Sequence, residues 1–152
     1  MKTFAAVPSL LLALLAAACA STGMTQEQKL DTYRAHAGAP VSSFRYFGQI
    51  NGWTSLGERN IAVWTKPSEA WLLELSGPCP DIDYAPAISV TNQFNRVSAK
   101  FDKVVVHGAG TPRVPCRIET IRPLDVKAIK QAEKTARDQV GDGQAEEESS
   151  GT

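Results

Sequence analysis

Hydrophobic and polar positions along the chain predict a helix, a series of short strands and a second helix, in that order. Leu30 and Tyr33 fall on one face of a helical period, which predicts a helix over residues 26–37. Thr25 followed by Gln28 is typical of a capping box, in which each residue's side chain binds the backbone of the other. We therefore expect this helix to open the folded part of the chain.

Between residues 41 and 122 short apolar runs alternate with turn-forming residues, which is the pattern of β-strands. The run 61–65 is apolar on both faces and predicts a strand that is covered on both sides. Asn51-Gly52 predicts a tight hairpin turn between two of these strands. About six short strands favour a mainly β fold, a small antiparallel barrel or sandwich flanked by the two helices.

Helical spacing returns after residue 125, where Val126 and Ile129 begin an apolar stripe that predicts a C-terminal helix over 126–140. Asp125 is suited to cap the first turn of that helix. Residues 141–152 are rich in Glu, Gly and Ser and offer little to bury, so we expect a disordered acidic tail. The domain organisation is then one β-rich domain over 25–125, including its N-terminal helix, followed by this helix and tail.

The N-terminal residues have the parts of an export signal, with a positive charge at Lys2 and an apolar run from Leu10 to Ala20. The run is shorter than the roughly 20 residues of a membrane-spanning helix. Cys19 follows Leu-Ala-Ala-Ala at its end, which resembles a bacterial lipobox. This predicts a lipoprotein-type signal peptide over 1–18, lipidation of Cys19 and a tether over 19–24.

The alternative is an ordinary signal cut after Ala18, which leaves Cys19 as a free thiol and the protein soluble in the periplasm or secreted. We prefer the lipoprotein interpretation because it explains a cysteine at the cleavage point. Ala20, rather than Asp, follows that cysteine, which favours the outer membrane over retention in the inner membrane. The predicted location is the periplasmic face of the outer membrane, with the membrane contacted through the N-terminal lipid.

The charge balance narrows the possible partners. The 152 residues include 16 basic and 16 acidic side chains, whereas nucleic-acid-binding domains normally carry a strong basic excess. We therefore expect no nucleic acid among the partners. An envelope protein or a cell-wall component fits the predicted location better.

Lipidation of Cys19 leaves Cys79 and Cys116 as a pair. In an oxidising compartment an even number of cysteines favours a disulfide, and we predict a bridge between these two. The alternative is a metal pair, but His36 and His107 do not provide zinc-type spacing. We predict neither a metal site nor a cofactor.

The chain also resembles a family of small proteobacterial envelope lipoproteins of unknown function, over about residues 43–125. The resemblance supports export and the paired cysteines, and it implies no activity, ligand or catalytic residue. It is carried by these segments: Phe44-Arg45-Tyr46-Phe47, Gly52-Trp53, Leu56-Gly57, Ala62-Val63-Trp64-Thr65-Lys66-Pro67, Ala70-Trp71-Leu72-Leu73-Glu74-Leu75, Cys79, Pro115-Cys116-Arg117-Ile118 and Ile121-Arg122-Pro123-Leu124-Asp125.

Most aromatic residues are concentrated between positions 44 and 71, and we assign most of them to the core because aromatic side chains dominate the cores of small domains. Trp53 lies beside the predicted turn and is the candidate for an exposed binding residue, with Arg45 and Tyr46 as its neighbours in a possible binding surface. Arg45 is interpreted either as an outward charge or as the buried partner of an acid such as Glu74 or Asp102.

No set of residues in the sequence has the spacing of an active site, so we predict a non-enzymatic binding or structural module. One alternative is a periplasmic hydrolase in which His107 acts with Asp102 or Asp81, although a histidine without an oriented partner is a weak candidate for a base. The other is a carrier that holds a small ligand inside the barrel beside Trp64 or Trp71.

Overall fold

The computed structural model describes residues 23–108 and 112–149, without the side chains of 142–149. The predicted signal peptide, Cys19, most of the tether and residues 150–152 lie outside the described residues. In chain order the elements are helix α1 (Gln26–Ala35), strands β1 (Ser43–Arg45), β2 (Gly52–Ser55), β3 (Asn60–Lys66) and β4 (Glu69–Leu75), a single 3-10 turn (Ile82–Tyr84), strands β5 (Ala87–Val90), β6 (Arg96–Ser98), β7 (Lys103–His107) and β8 (Val114–Leu124), and helix α2 (Val126–Ser149).

The prediction of a mainly β fold with flanking helices is confirmed. Six strands form one antiparallel sheet in the order β2-β3-β4-β8-β7-β5, and this sheet curls into a half-barrel. The other two described strands, β1 and β6, pair with each other as a separate antiparallel ribbon.

The half-barrel is covered on both faces, which explains why β3 is apolar at successive positions. Ile61 and Val63 belong to a hydrophobic cluster on the ribbon side, whereas Ala62 and Trp64 join a second cluster on the helix side. Successive residues of a strand point to opposite faces, so a strand buried on both sides needs this composition. The prediction of a sandwiched strand over 61–65 is confirmed.

The ribbon is fixed to the sheet by packing and by backbone hydrogen bonds. Phe44 on β1 and Val97 on β6 lie opposite each other and are buried in the first cluster. The amide of Val41 donates to the carbonyl of Ile121 on β8 at 2.9 Å. The ribbon therefore closes over one face of the half-barrel, and side chains of the cluster occupy its interior.

Cys79 and Cys116 form a disulfide, as predicted, with their Cα atoms 5.7 Å apart. Cys79 lies in the loop after β4 and is fully buried, while Cys116 lies on β8. The bridge joins positions 37 residues apart in the sequence and ties the segment that carries β5, β6 and β7 to the sheet.

Both helices begin where the sequence predicts. The capping box of α1 is present, with the Gln28 amide donating to Thr25 Oγ1 at 3.2 Å and the Thr25 amide donating to Gln28 Oε1 at 2.9 Å. Helix α1 ends at Ala35 rather than residue 37, because Gly38 turns to donate its amide to Pro123 of β8.

Asp125 accepts a hydrogen bond from the Ala128 amide at 3.0 Å and caps α2, as predicted. Helix α2 continues to Ser149, past residue 140 and into the stretch for which the sequence predicts a disordered tail. Each glycine in this stretch costs a helix only about 1 kcal/mol relative to alanine, and the Gln, Ala and Glu around them are good helix formers.

The predicted turn at Asn51-Gly52 is wrong. Gly52 is the first residue of β2, opposite Trp64 of β3, and the Asn51 amide donates to the Trp64 carbonyl at 2.8 Å. The chain reverses instead at Leu56–Asn60, where Gly57 adopts a φ of 100°. Tertiary pairing of β1 with β6, rather than with β2, overrides the local turn signal.

Candidate functional site

An open cleft of about 590 Å³ lies between the β1–β6 ribbon and the β3–β4 hairpin, and we call it the aromatic cleft. It combines three aromatic rings, three basic side chains and one carboxylate. Its lining residues are Ser43, Phe44, Arg45, Phe47, Gln49, Thr65, Lys66, Glu69, Trp71 and Arg96.

Two of the aromatic rings in the cleft form a stacked pair. The rings of Phe44 on β1 and Trp71 on β4 are nearly parallel, at an interplanar angle of 12° with their centroids 4.8 Å apart. Phe44 is buried, whereas Trp71 is half-buried and packs at the edge of the first hydrophobic cluster. A rigid aromatic surface of this kind can stack against a planar or apolar part of a ligand.

The indole nitrogen of Trp71 is a hydrogen-bond donor in the aromatic lining of the cleft. Trp71 Nε1 is buried and makes no hydrogen bond within the described residues. Buried donors are normally paired because an unsatisfied donor costs about 1–3 kcal/mol. The indole N–H of Trp71 is therefore an unsatisfied donor closed to solvent at the wall of the cleft.

Two arginines face each other across the ribbon. Arg45 and Arg96 are direct partners in the β1–β6 register, and both are exposed. Arg96 Nη1 donates to Ser43 Oγ at 2.8 Å, but no ion pair joins either guanidinium to a carboxylate in the described part of the chain. Like charges directly opposite each other destabilise an antiparallel pair, and an anion between them would relieve that repulsion.

The carboxylate in the cleft already has partners. The Thr65 hydroxyl donates to Glu69 Oε1, and Lys66 Nζ lies 3.2 Å from Glu69 Oε2. The bond from Thr65 is the largest cause that lowers the pKa of Glu69, burial partly opposes it, and Lys66 lowers it further. The indole of Trp71 also lowers the pKa of Glu69, by the smallest amount, although Trp71 Nε1 makes no hydrogen bond of ordinary geometry to that carboxylate. Glu69 is therefore ionised and already paired with Thr65 and Lys66. Among the described residues of the cleft, the guanidinium groups of Arg45 and Arg96 are the charges without an ion-pair partner.

The structure separates the three residues of the predicted binding surface. Arg45 is exposed and lines the cleft, so its interpretation as an outward charge is correct; Glu74 pairs with other arginines and Asp102 with other donors. Tyr46 is only 4% exposed in the first cluster, where burial raises its pKa. Trp53 is half-buried on β2 and packs against the same cluster.

The sequence did not identify the rest of this site. Arg96 lies 51 positions beyond Arg45, and only the strand register shows that the two are opposite each other. Trp71 and Glu69 fall in a strand whose apolar pattern indicates core rather than a binding surface. The signal available in the sequence is a basic residue in each of two short strands, Arg45 on β1 and Arg96 on β6.

The structure does not pair His107 with either aspartate of the alternative hydrolase, Asp102 or Asp81. His107 Nε2 lies 2.8 Å from Ser89 Oγ, a serine on the neighbouring strand that the sequence did not single out. Asp102 is 3% exposed and accepts from the Thr91 hydroxyl at 2.8 Å and the Ser98 amide at 2.7 Å, which commits it to the turn between β6 and β7. Asp81 lies before the 3-10 turn with a left-handed backbone. The described residues thus give His107 a serine partner but no carboxylate to orient it.

Within residues 23–108 and 112–149, no three His, Cys, Asp or Glu side chains are close enough to hold a metal ion together. None of the described helices is both long and apolar enough to cross a membrane.

Comparison with known proteins gives a family but no precedent for activity. No curated protein and no solved structure is significantly similar to the chain. The model of a family of unknown function (DUF6491) matches residues 1–140, nearly the whole chain. The chain therefore belongs to this family of unknown function.

Proposed function

We propose that the protein is exported, lipidated at Cys19 and held at the periplasmic face of the outer membrane, where its β domain binds an acidic partner without catalysing a reaction. The predicted lipobox supports the anchoring, and Ala20 supports the outer membrane. The buried disulfide fits an oxidising compartment.

The observation that carries the binding role is the aromatic cleft. The opposed pair of Arg45 and Arg96 favours a carboxylate or phosphate, and the stacked rings of Phe44 and Trp71 favour a ligand with a planar or apolar body. Acidic peptide segments and the carboxylate-bearing saccharides and peptides of the cell wall have both features. Side chains of the first hydrophobic cluster fill the interior of the half-barrel. We therefore favour a ligand bound at this surface over a small molecule carried inside the barrel.

The non-enzymatic assignment is supported by the surroundings of the one histidine on β7. The Ser89–His107 pair is a hydrogen bond between an exposed serine and a half-buried histidine on the last two strands of the sheet. Without an orienting acid, its ordinary interpretation is a cross-strand contact that stabilises the sheet edge.

Site-specific photo-crosslinking in intact cells tests the cleft as a binding surface. A photoreactive phenylalanine replaces Phe47, which is 69% exposed at the cleft, or Phe101, which is 75% exposed and lines a different groove. We expect a discrete crosslinked product from position 47 and none from the matched position 101. The product should disappear when Arg45→Glu and Arg96→Glu are added.

Cosedimentation with purified cell-wall sacculi tests the cell-wall partner directly. The wild-type chain should sediment with the sacculi, and Arg45→Ala with Arg96→Ala should weaken binding at least tenfold. The control replaces Lys100 and Lys103, two exposed cations on another surface, with alanine. Equal binding by all three proteins, together with no product from position 47, would contradict the proposed role of the cleft.

A further inference from the structure

Helix α2 carries its positive charges on one flank. Lys127, Lys130, Lys134 and Arg137 are all exposed and follow one another at intervals of three, four and three residues. Residues three and four apart are neighbours on a helix surface, so these four cations form a continuous row. The apolar stripe that contains Val126 and Ile129 packs against the second hydrophobic cluster, which leaves the row facing outward.

Three adjoining grooves extend this row to the N-terminal end of the described chain. The first, of about 610 Å³, lies between Lys127, Lys130, Lys134 and the tip of the β3–β4 hairpin. The second, of about 400 Å³, shares Lys130 with the first and adds Lys29 of α1. The third, of about 200 Å³, shares Lys29 with the second and is lined by Gly23, Met24, Glu133 and Arg137.

We call the surface formed by Lys29, Lys127, Lys130, Lys134 and Arg137 the basic flank. Three acids adjoin it: Asp138, which is exposed four residues after Lys134 and offsets part of the charge, and two that have structural partners. Glu133 accepts from the Tyr33 hydroxyl at 2.9 Å and lies 3.9 Å from Lys29 Nζ. Asp125 caps the first turn of α2. The basic flank therefore presents a net positive charge to whatever faces it.

The N-terminal position of this surface relates it to the proposed anchor. Gly23 lines the third groove, and Cys19 is four residues earlier in the sequence. Four residues span at most roughly 14 Å when fully extended. A lipid on Cys19 would hold the basic flank close to the headgroups, within about two of the ~8 Å screening lengths of physiological salt.

We propose that the basic flank lies against the anionic phospholipid headgroups of the membrane in which Cys19 is anchored. This inference rests on the proposed lipidation and adds an orientation to it. Phe44 and Trp71 belong to the opposite face of the sheet from α2, so a bilayer against the basic flank and a partner in the aromatic cleft would occupy different faces of the domain. The lipid anchor then determines where the domain is, and the basic flank determines which way it faces.

Vesicle flotation tests the charge contribution separately from the anchor. The protein is the chain from Ala20 onward, which lacks Cys19 but retains both hydrophobic clusters and the disulfide. The probes are vesicles of phosphatidylglycerol and phosphatidylethanolamine in equal parts, and vesicles of phosphatidylcholine alone. We expect binding to the anionic vesicles only, and we expect it to weaken as salt is raised.

Matched substitutions then assign the binding to this surface. One variant replaces Lys127, Lys130 and Lys134 with glutamine; the control replaces Lys100, Lys103 and Arg117, three exposed cations on the β domain, with glutamine. Each basic residue near an anionic surface contributes a factor of about five in partitioning, so the α2 variant should bind about a hundredfold less. The control should bind like wild type. A third variant with arginine at the three α2 positions keeps the charge and should also bind like wild type, which guards against a general effect of substitution.

Four results would overturn the inference: no binding of wild type to anionic vesicles, equal binding to phosphatidylcholine, equal losses in the α2 variant and the control, or binding to soluble heparin without binding to vesicles. Failure of the proposed lipidation is a separate result, since it appears in the mass of the native N-terminus and leaves the flotation of the Cys19-free chain unchanged.

Discussion

Removal of the disulfide is the perturbation whose energetic effect follows most directly from the fold. Cys79→Ala with Cys116→Ala opens a cross-link between positions 37 residues apart. In the chain-entropy model a loop of this length stabilises the folded state by about 4 kcal/mol, because the cross-link restricts the unfolded chain. Cys79 is fully buried, so loss of its sulfur also leaves a small cavity and adds to the cost.

The expected loss is large relative to the about 5–15 kcal/mol that stabilises a typical domain. Urea unfolding of the chain from Ala20 measures it, with the free energy of unfolding extrapolated to zero denaturant for wild type and the double variant. The variant should also show a steeper dependence on urea, because an unfolded chain without the cross-link exposes more surface.

Wild type treated with reductant in urea provides the control, since it should lose the same cross-link without any substitution. A loss below about 1 kcal/mol, with no change in the urea dependence, would refute the chain-entropy account for this bridge. Equal stabilities of reduced and oxidised wild type would refute the assignment of a stabilising role to the bridge altogether.

The remaining predictions concern three side-chain pairs. The pKa of Glu69 is lower in the folded chain than its ordinary value of 4.5, so its contribution to stability is present above that pH and is lost as the pH falls through the lowered value. Thr65→Val removes the main cause of the lowering and should flatten the acid limb of a plot of unfolding free energy against pH; an unchanged limb would contradict the assignment. Burial, with Glu133 nearby, raises the pKa of Tyr33 above its ordinary value of 10.0, so stability should be lost as the pH rises beyond 10; Tyr33→Phe should remove this alkaline loss and cost about 1 kcal/mol at neutral pH through the lost hydrogen bond. Ser89→Ala and His107→Ala should each leave the phenotype of the wild-type gene intact in a strain where deletion has one, whereas a deletion-like phenotype from both would favour the hydrolase alternative.

Much of the fold is predictable from local signals. Thr25 and Gln28 specify the start of α1, and Asp125 specifies the start of α2, because capping depends on residues adjacent in sequence. The apolar run 61–65 indicates a strand covered on both faces, which is a property of composition. The disulfide follows from the number of cysteines once Cys19 is assigned to lipid.

The strand pairing is not predictable in the same way. Asn51-Gly52 has the composition of a hairpin turn, but the strand before it pairs with β6, so long-range packing of Phe44 against Val97 and Trp71 determines the register. The end of α2 is also difficult to predict, because the sequence near residue 141 combines glycines with good helix formers.

The candidate site depends on that register and for this reason was only partly foreseen. Arg45 could be selected as a charge among aromatic residues, but its partner Arg96 is opposite it only because β1 and β6 form a ribbon. Tyr46 was selected for the same surface, but it follows Arg45 directly and its side chain points to the other side, where it is buried in the core. Side-chain direction in a strand follows the strand's pairing, which the local sequence does not specify.

The central claim is that this domain acts as a lipid-anchored envelope protein, and the mass of the mature N-terminal peptide tests it most directly. The protein is expressed from its own leader in a bacterial host, recovered from the membrane fraction and digested, and the first peptide is measured by mass spectrometry. The account predicts that Cys19 is the first residue and carries acyl chains, and that Cys19→Ala abolishes both the modification and the membrane association. An N-terminal peptide that retains residues before Cys19, or that begins with an unmodified Cys19 thiol, would contradict it.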